Sequence, residues 1–229
     1  MAQIFHPSTN TIARVSIYGA VFSLLVLSFA IYGLSASPYF TDVNQPKDQP
    51  VPFSHRHHAG ELGIDCRYCH TSVEESSFAG IPPTKTCMTC HSQIWTNSSM
   101  LEPVRSSYAS GKSLEWIRVN ALPDFVYFNH SIHIHKGVGC TTCHGPVGEM
   151  PLTWKANTLQ MSWCLDCHRN PEKFVRRQED VFKPLYEPPE NQEELGAQLV
   201  VKEYHIPSPA NCAHLKKCQM MTNCTTCHR

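Results

Sequence analysis

Ten cysteines and five histidines of this chain repeat one short pattern, in which two cysteines are separated by two residues and followed at once by a histidine. Two thiols at this spacing can form thioethers to the two vinyl groups of one porphyrin, and the adjacent histidine then lies beneath the iron as its proximal ligand. We therefore predict five covalent haem c groups. The attaching cysteines are Cys66, Cys69, Cys87, Cys90, Cys140, Cys143, Cys164, Cys167, Cys224 and Cys227, and the proximal ligands are His70, His91, His144, His168 and His228.

The alternative for such cysteine pairs is a set of zinc sites or redox-active dithiols. Histidine makes up 14 of the 229 residues, so its presence after all five pairs is not explained by composition. Tetrahedral zinc sites also have no need for a histidine directly after every second cysteine. The pattern therefore favours haem attachment.

A second repeated element precedes the first and the third haem motif. Its pattern is Phe-x-His-x-x-His, which contains His55 and His58 in one copy and His130 and His133 in the other. On a helix, histidines three positions apart face the same way, so each pair can reach two neighbouring irons. Because a low-spin iron needs a sixth ligand, we predict these four as distal ligands, with His55 at the first haem and His130 at the third.

The remaining histidines divide into three groups. His57 and His135 break the shared pattern and are expected to bind propionates or face solvent, and His6 lies before the apolar segment. The distal ligand of the fifth haem is left open between His205, His214 and the methionines Met220 and Met221. His/Met ligation would raise the potential of that haem.

Two cysteines, Cys212 and Cys218, fall outside the haem motifs. Their proximity in sequence favours a small disulfide in an oxidising compartment. A metal site that also includes His214 is the weaker alternative.

An uncharged run over residues 15–36 spans about 33 Å as a helix, enough for a bilayer core. The alternative is a cleaved signal peptide, but the apolar stretch is longer than such peptides usually have. We predict an uncleaved single-pass anchor in a bacterial inner membrane, with the N-terminus cytoplasmic and the haem domain periplasmic, although Arg14 is the only basic residue before the run.

The predicted fold class is mostly irregular with short α-helices, comprising one transmembrane helix and a multihaem domain of two duplicated dihaem modules and a fifth haem. The predicted divisions are a tail and anchor (1–36), a tether (37–52), module 1 (53–91), a connector (92–127), module 2 (128–168), an extended Pro-rich segment (169–204) and the fifth haem segment (205–229).

Within the connector, residues 113–121 have the spacing of an amphipathic helix. The tryptophans Trp95, Trp116, Trp154 and Trp163 are expected to pack on porphyrins. Residues 169–204 are long for a loop, so we expect them to wrap over a partner subunit, with a mobile linker as the alternative.

Composition excludes several classes of function. Lys and Arg balance Asp and Glu at 19 each, which gives no indication of a nucleic-acid partner. The sequence has neither a phosphate-binding loop nor a Gly-rich dinucleotide fingerprint. With 17 prolines and only 11 glycines, the extramembrane part is expected to build its core around the porphyrins.

Residues 123–145, from Pro123-Asp-Phe through the third haem motif, together with 161–171 and 223–229, resemble the membrane-anchored pentahaem cytochrome c subunit of alternative complex III, a quinol:electron-acceptor oxidoreductase. The haem-binding half is also similar to low-potential tetrahaem cytochromes. The resemblance implies an iron–sulfur protein subunit, polytopic quinol-binding membrane subunits, a monohaem cytochrome c subunit and a terminal oxidase as partners. The chain lacks a sixth haem motif, unlike a related hexahaem subunit of quinone reductase complexes.

The predicted function is electron transfer along a haem wire within a membrane quinol-oxidising complex, toward a cytochrome c or terminal oxidase. The chain alone is not expected to catalyse a reaction, because its one apolar helix offers no obvious proton-accepting group for quinol oxidation. The alternatives are a stand-alone membrane quinol dehydrogenase of the NapC/NirT type and a multihaem enzyme with one open iron.

Overall fold

The computed structural model describes residues 5–208, 212 and 220–228. They form two compact units, of which the first ends at Val43 and the second begins at Asn44. The first contains helix α1 (Ser8–Ala36) and the short α2 (Pro38–Thr41). Pro38 ends α1 because the residue before a proline is restricted to extended conformations, and Ser37 is extended.

Helix α1 is long and apolar enough to cross a membrane. Its 29 residues span about 44 Å, the mean hydropathy of its most apolar part is 2.0, and none of its side chains is buried. The helix ends at the predicted residue and begins seven residues before the uncharged run. A membrane anchor and a signal segment both have these properties.

The second unit consists of short helices joined by irregular segments. Its α-helices are α3 (Cys66–Cys69), α4 (Thr84–His91), α5 (Glu102–Ser110), α6 (His130–His135), α7 (Cys140–His144), α8 (Met161–Arg169), α9 (Gln192–Gln198) and α10 (Cys224–Cys227). Two π-helical turns cover Arg56–Glu61 and Leu199–Glu203, and 3-10 turns cover Ser99–Leu101, Val147–Glu149, Pro171–Lys173 and Gln178–Asp180. Over the described ranges there is no β-strand, and isolated antiparallel bridges join Pro46 to Trp154 and Val138 to Val175. The mostly helical and irregular fold class is confirmed.

Three small apolar clusters replace a single large core. The first contains Val138, Val175, Leu199, Val200, Tyr204 and Ile206; the second Val51, Leu101 and Val104; the third Val73, Ile134 and Val181. A haem-motif cysteine packs against each of them: Cys143, Cys87 and Cys140 respectively. The polypeptide core therefore lies directly beside the attachment helices.

Residues 169–204 differ from the expected extended segment, because they fold back onto the third haem motif. Val175 and Val181 are completely buried, at 1% and 0% exposure. The Arg176 amide donates to Gly137 O at 2.8 Å, and the Cys140 amide donates to Val181 O at 3.2 Å. A few buried valines pack this segment against its own domain. They were not recognised in the sequence because charged residues and prolines surround them.

The predicted helix over residues 113–121 is wrong. The helix of this region is α5, which has Pro103 in its first turn and ends at Gly111, whose φ of +70° is a left-handed conformation that glycine adopts readily. The following residues are extended, so Leu114 and Trp116, two positions apart, both pack against the second cluster. Gln49 holds this extended run by hydrogen bonds to both backbone groups of Ile117.

Candidate haem sites

Each of the five cysteine pairs lies on a single helical turn, which presents both thiols of the pair on one side. Asp65 caps α3 by accepting from the Arg67 amide at 2.8 Å, and Asn223 caps α10 by accepting from the Thr225 amide at 3.2 Å. All ten motif thiols are free, whereas Cys212 is disulfide-bonded. Its predicted partner Cys218 lies outside the described residues.

Four of the five predicted proximal histidines share one hydrogen-bonding arrangement. Nδ1 of His70 donates to Gly80 O at 2.7 Å, and Nδ1 of His168 donates to Met221 O at 3.0 Å. Nδ1 of His91 is 3.4 Å from Ile94 O, and Nδ1 of His228 is 3.2 Å from Phe125 O. Nδ1 of His144 is 3.1 Å from the side-chain amide nitrogen of Asn120. His144 is the exception, because the Asn120 amide nitrogen can only donate and its Nδ1 therefore accepts. In the other four rings, since a carbonyl oxygen can only accept, Nδ1 carries the proton and Nε2 is left with its lone pair. This is the tautomer that a metal-ligating imidazole needs.

The predicted distal histidines follow the same rule. Nδ1 of His58 donates to Ser54 O at 2.8 Å, and Nδ1 of His133 donates to Asn129 O at 2.7 Å, in each case to the carbonyl four residues earlier. Nδ1 of His130 donates to Ser77 O at 2.8 Å, and Nδ1 of His55 is 3.0 Å from the Thr153 hydroxyl. Nε2 is therefore the available nitrogen on the rings of His58, His130 and His133, whereas the Thr153 hydroxyl can either donate to or accept from His55.

Three distal rings each face one proximal ring. The ring centres of His58 and His91 are 6.2 Å apart, those of His130 and His144 6.4 Å, and those of His133 and His168 6.3 Å. Two imidazoles that bind opposite faces of one metal through Nε2, at a bond length of about 2.0 Å, have centres about 6.3 Å apart. The second, third and fourth motifs thus each have space for one iron between two imidazoles.

His55 lies close to the first motif. Burial, and to a smaller extent the nearby rings of His70, His144 and His58, together lower the pKa of His55 to about 4. Burial likewise lowers the pKa of His144 to about 4, with nearby His130 and His70 contributing in the same direction. Both imidazoles are therefore neutral at neutral pH, which is the protonation state that metal binding requires.

The two Phe-x-His-x-x-His elements have the same local geometry. The Phe53 ring lies edge-on to His55 (88°) and stacks on His58 (22°), and the Phe128 ring lies edge-on to His130 (90°) and stacks on His133 (26°). The first element forms a π-helical turn and the second an α-helix. Gly60 allows this π-helical turn to approach the residue 147–149 turn, because a Cβ on Gly60 would lie 2.1 Å from Gly148 O.

The other histidines are placed differently. His57 is exposed and its Nδ1 is 3.0 Å from Glu61 Oε2, and His135 is exposed with Nε2 itself bonded to Glu74 O at 3.0 Å. His205 is exposed, with a positive φ of 48°. His214 lies outside the described residues. Met221 contributes its carbonyl to His168, and the Met220 sulfur is 3.2 Å from Cys212 Sγ.

Thiols of different motifs adjoin one another. The Cys66 and Cys140 thiols hydrogen-bond to each other, which lowers the pKa of Cys66 to about 7 and, together with burial, raises that of Cys140. Burial, and then the adjacent Cys164, raise the pKa of Cys143 to about 11. Burial raises the pKa of Cys69, and the nearby Cys87 adds a smaller effect in the same direction. Burial likewise raises the pKa of Cys164, with a smaller effect from the nearby Cys227. The motifs therefore adjoin in the order second, first, third, fourth, fifth.

Sequence reasoning found the motif cysteines and histidines but missed the groups that orient the imidazoles. Asn120 and Thr153 are side chains in irregular segments, far in sequence from the rings they contact. The other seven partners are backbone carbonyls, for which no residue type gives a signal.

Paired thiols on helical turns and imidazoles with Nε2 available form a donor set that fits covalently bound haem c, so the chain is a multihaem c-type cytochrome. The profile of the class III cytochrome c family matches residues 36–102, which include the first two haem motifs. The chain is also 32% identical over 145 residues to the multihaem cytochrome c subunit of menaquinone reductase from Nitratidesulfovibrio vulgaris. The matched region covers 54% of this chain and 69% of that protein. It belongs to this family of class III multihaem electron-transfer cytochromes.

Proposed function

We propose that this chain is a pentahaem cytochrome c that carries electrons along a row of five irons, each closed by two axial ligands. The observation that carries the proposal is the separation of three histidine pairs at 6.2, 6.4 and 6.3 Å. A ring on each face of an iron leaves no position for a substrate. This geometry therefore favours electron transfer over a catalytic haem.

The proposed axial pairs are His55 with His70, His58 with His91, His130 with His144 and His133 with His168. At the fifth site His228 is the proximal ligand, and the distal ligand remains a choice among His205, His214 and a methionine. Bound haem c supplies an iron that takes up and releases one electron at a time. The polypeptide would attach it through the paired cysteines and orient the imidazoles that hold the iron.

The proposed order of electron transfer is second, first, third, fourth and fifth site, in either direction. It is supported by the neighbouring thiols Cys87 and Cys69, Cys66 and Cys140, and Cys143 and Cys164. The exposed motif cysteines are Cys90 and Cys224, which belong to the two terminal sites of this order. We propose these two sites as the points where electrons enter and leave.

We propose that the chain works in a membrane quinone-linked respiratory complex. Helix α1 would anchor it with the N-terminus cytoplasmic and the haem domain periplasmic. The partners would be an iron–sulfur protein, polytopic quinol-binding subunits and a monohaem cytochrome of an alternative complex III, with electrons flowing from quinol to a terminal oxidase. A stand-alone quinol dehydrogenase is the alternative.

The name of the relative supports a second candidate, in which the same row of irons carries electrons toward menaquinone. The two directions differ in the potentials of the irons relative to the quinone pool. Quinol oxidation requires irons that the membrane quinol can reduce, whereas quinone reduction requires irons that can reduce the quinone.

The test is a native gel of gently solubilised membranes, stained for haem and then run in a denaturing second dimension. Descent of this chain from a large assembly with polytopic proteins supports the complex, and migration alone contradicts it. Addition of quinol to the same membranes then decides the direction, because it reduces the haem absorbance bands only if the irons accept electrons from quinol. Visible spectra with a high-spin component in the wild-type protein would contradict five closed irons.

A further inference from the structure

Arg176 is a buried arginine within the segment that folds back onto the third haem motif, with only 4% of its surface exposed. Its backbone is fixed on both sides. The amide donates to Gly137 O at 2.8 Å, and the carbonyl accepts from the Tyr204 hydroxyl at 2.8 Å. The position of the side chain is therefore set by the fold.

The guanidinium lies against the third attachment loop. Nη2 donates to the hydroxyls of Thr141 and Thr142, both at 2.9 Å, and these are the two residues between Cys140 and Cys143. The Tyr186 ring covers the guanidinium, with its centre 3.8 Å from Cζ. Gly139 permits the approach, since a Cβ there would lie 2.2 Å from Cζ.

The charge of Arg176 is not paired. No carboxylate oxygen lies within ion-pair distance of it in the part of the chain that the structure describes, and the nearby Asp180 carboxylate is paired with Lys183. The Asp180 carbonyl oxygen accepts from Nη1 at 3.4 Å, and its carboxylate acts on the guanidinium only at longer range, while Nε is buried with no hydrogen-bond partner among the described residues. A buried cation without a counter-charge is costly and requires an explanation.

We propose that Arg176 raises the reduction potential of the iron at the third site above the potentials at its neighbours. The proposal rests on the proposed pentahaem function. Reduction lowers the positive charge of the iron by one, so a fixed cation nearby favours the reduced state, and it does so strongly where water is excluded. In the order second, first, third, fourth, fifth, the third site is central, so an electron entering from either end is held at the middle of the row.

The test is a potentiometric titration of the holo full-length protein in membranes, followed by haem absorbance and resolved into one-electron components. Arg176→Gln removes the charge and should lower the midpoint potential of one component by at least about 59 mV. For a one-electron couple this is a tenfold shift of the equilibrium toward the oxidised state. Arg176→Lys keeps the charge and should shift it less than threefold. Arg177→Gln, at the exposed neighbouring position, should shift nothing.

A second pair of variants leaves Arg176 in place. Tyr186→Glu sets a carboxylate against the guanidinium and should lower the same component, whereas Tyr186→Phe keeps the ring and should not. Unchanged components in Arg176→Gln, or equal shifts in the glutamine and lysine variants, would overturn the proposal. If Arg176→Gln loses haem, the Tyr186 pair decides. Fewer than five haems in the wild-type protein would instead refute the pentahaem function itself.

Discussion

The imidazole rings of His130 and His144 lie within 4° of parallel, with their centres 6.4 Å apart. The Nδ1 atom of His130 is bonded to Ser77 O and that of His144 to the Asn120 amide. The predicted module 1 and the connector therefore both help to position the two imidazoles of module 2.

We predict that His130→Ala converts one of five irons to the high-spin state and leaves the others low-spin. The substitution removes the ring opposite His144, so the third iron loses its sixth ligand. Electron paramagnetic resonance of the oxidised protein measures the high-spin fraction, at about a fifth of the haem if five haems are bound. The control is His135→Ala on the same helix, which should have no effect because Nε2 of His135 is bonded to Glu74 O.

His58→Ala is expected to open the second iron and no other. The His58 ring centre is 6.2 Å from that of His91, whereas the adjacent His57 is exposed and contacts Glu61. Carbon monoxide should bind to the reduced His58→Ala protein and to neither the wild-type protein nor His57→Ala. Carbon monoxide binding by the wild type would mean that an iron is already open.

Replacement of both Cys224 and Cys227 by alanine should reduce the attached haems from five to four. The fifth site is terminal in the proposed order, so the remaining four should stay connected to one another and, once one of them is reduced, should exchange electrons as in the wild type. Removal of Cys140 and Cys143 should instead divide the row at its centre. Intact mass spectrometry counts the haems, and reduction kinetics distinguish the two variants; equal kinetics would contradict the order.

Asp65→Ala should lower stability by about 1 kcal/mol, since it removes the cap of α3 and the Asp65–Arg67 pair. The hydrogen bond from Arg67 lowers the pKa of Asp65 below its ordinary value of 3.8. The stabilisation is thus present above pH 3.8 and is lost as the pH falls through the folded-state pKa. Thermal unfolding at pH 7 should show the difference, and Asp65→Asn should retain most of the cap, as Asn223 does on α10.

Gly196→Ala should destabilise the second unit by more than about 2 kcal/mol. A Cβ at this position would lie 1.8 Å from the backbone oxygen of Glu172, and a backbone atom cannot rotate away. Thermal unfolding monitored by circular dichroism should show a clear fall in Tm. Ala197→Ser, on the exposed side of α9, is the control; equal Tm values for the two variants would mean that α9 is not packed against residues 171–173.

The haem motifs were readable from sequence because covalent attachment requires fixed residue types at fixed spacing. The repeated pattern also predicts the four distal histidines, but which proximal ring each of them faces depends on tertiary contacts such as His130 with Ser77. The helix predicted over 113–121 does not form because α5 already ends before Gly111. Beyond it, Leu114 and Trp116, two positions apart, pack against the second cluster. Residues 169–204 looked extended because their buried valines are separated by charged and proline residues.

Seven of the nine motif and distal imidazoles are oriented by a main-chain oxygen: those of Gly80, Ile94, Met221, Phe125, Ser54, Ser77 and Asn129. A backbone carbonyl oxygen accepts a hydrogen bond whatever side chain its residue carries. Apart from Gly80, whose φ of +83° favours glycine, these positions can therefore change identity without altering the nitrogen that faces the iron, provided that the path of the backbone is kept. Related proteins can thus share this tautomer control while their sequences diverge around it.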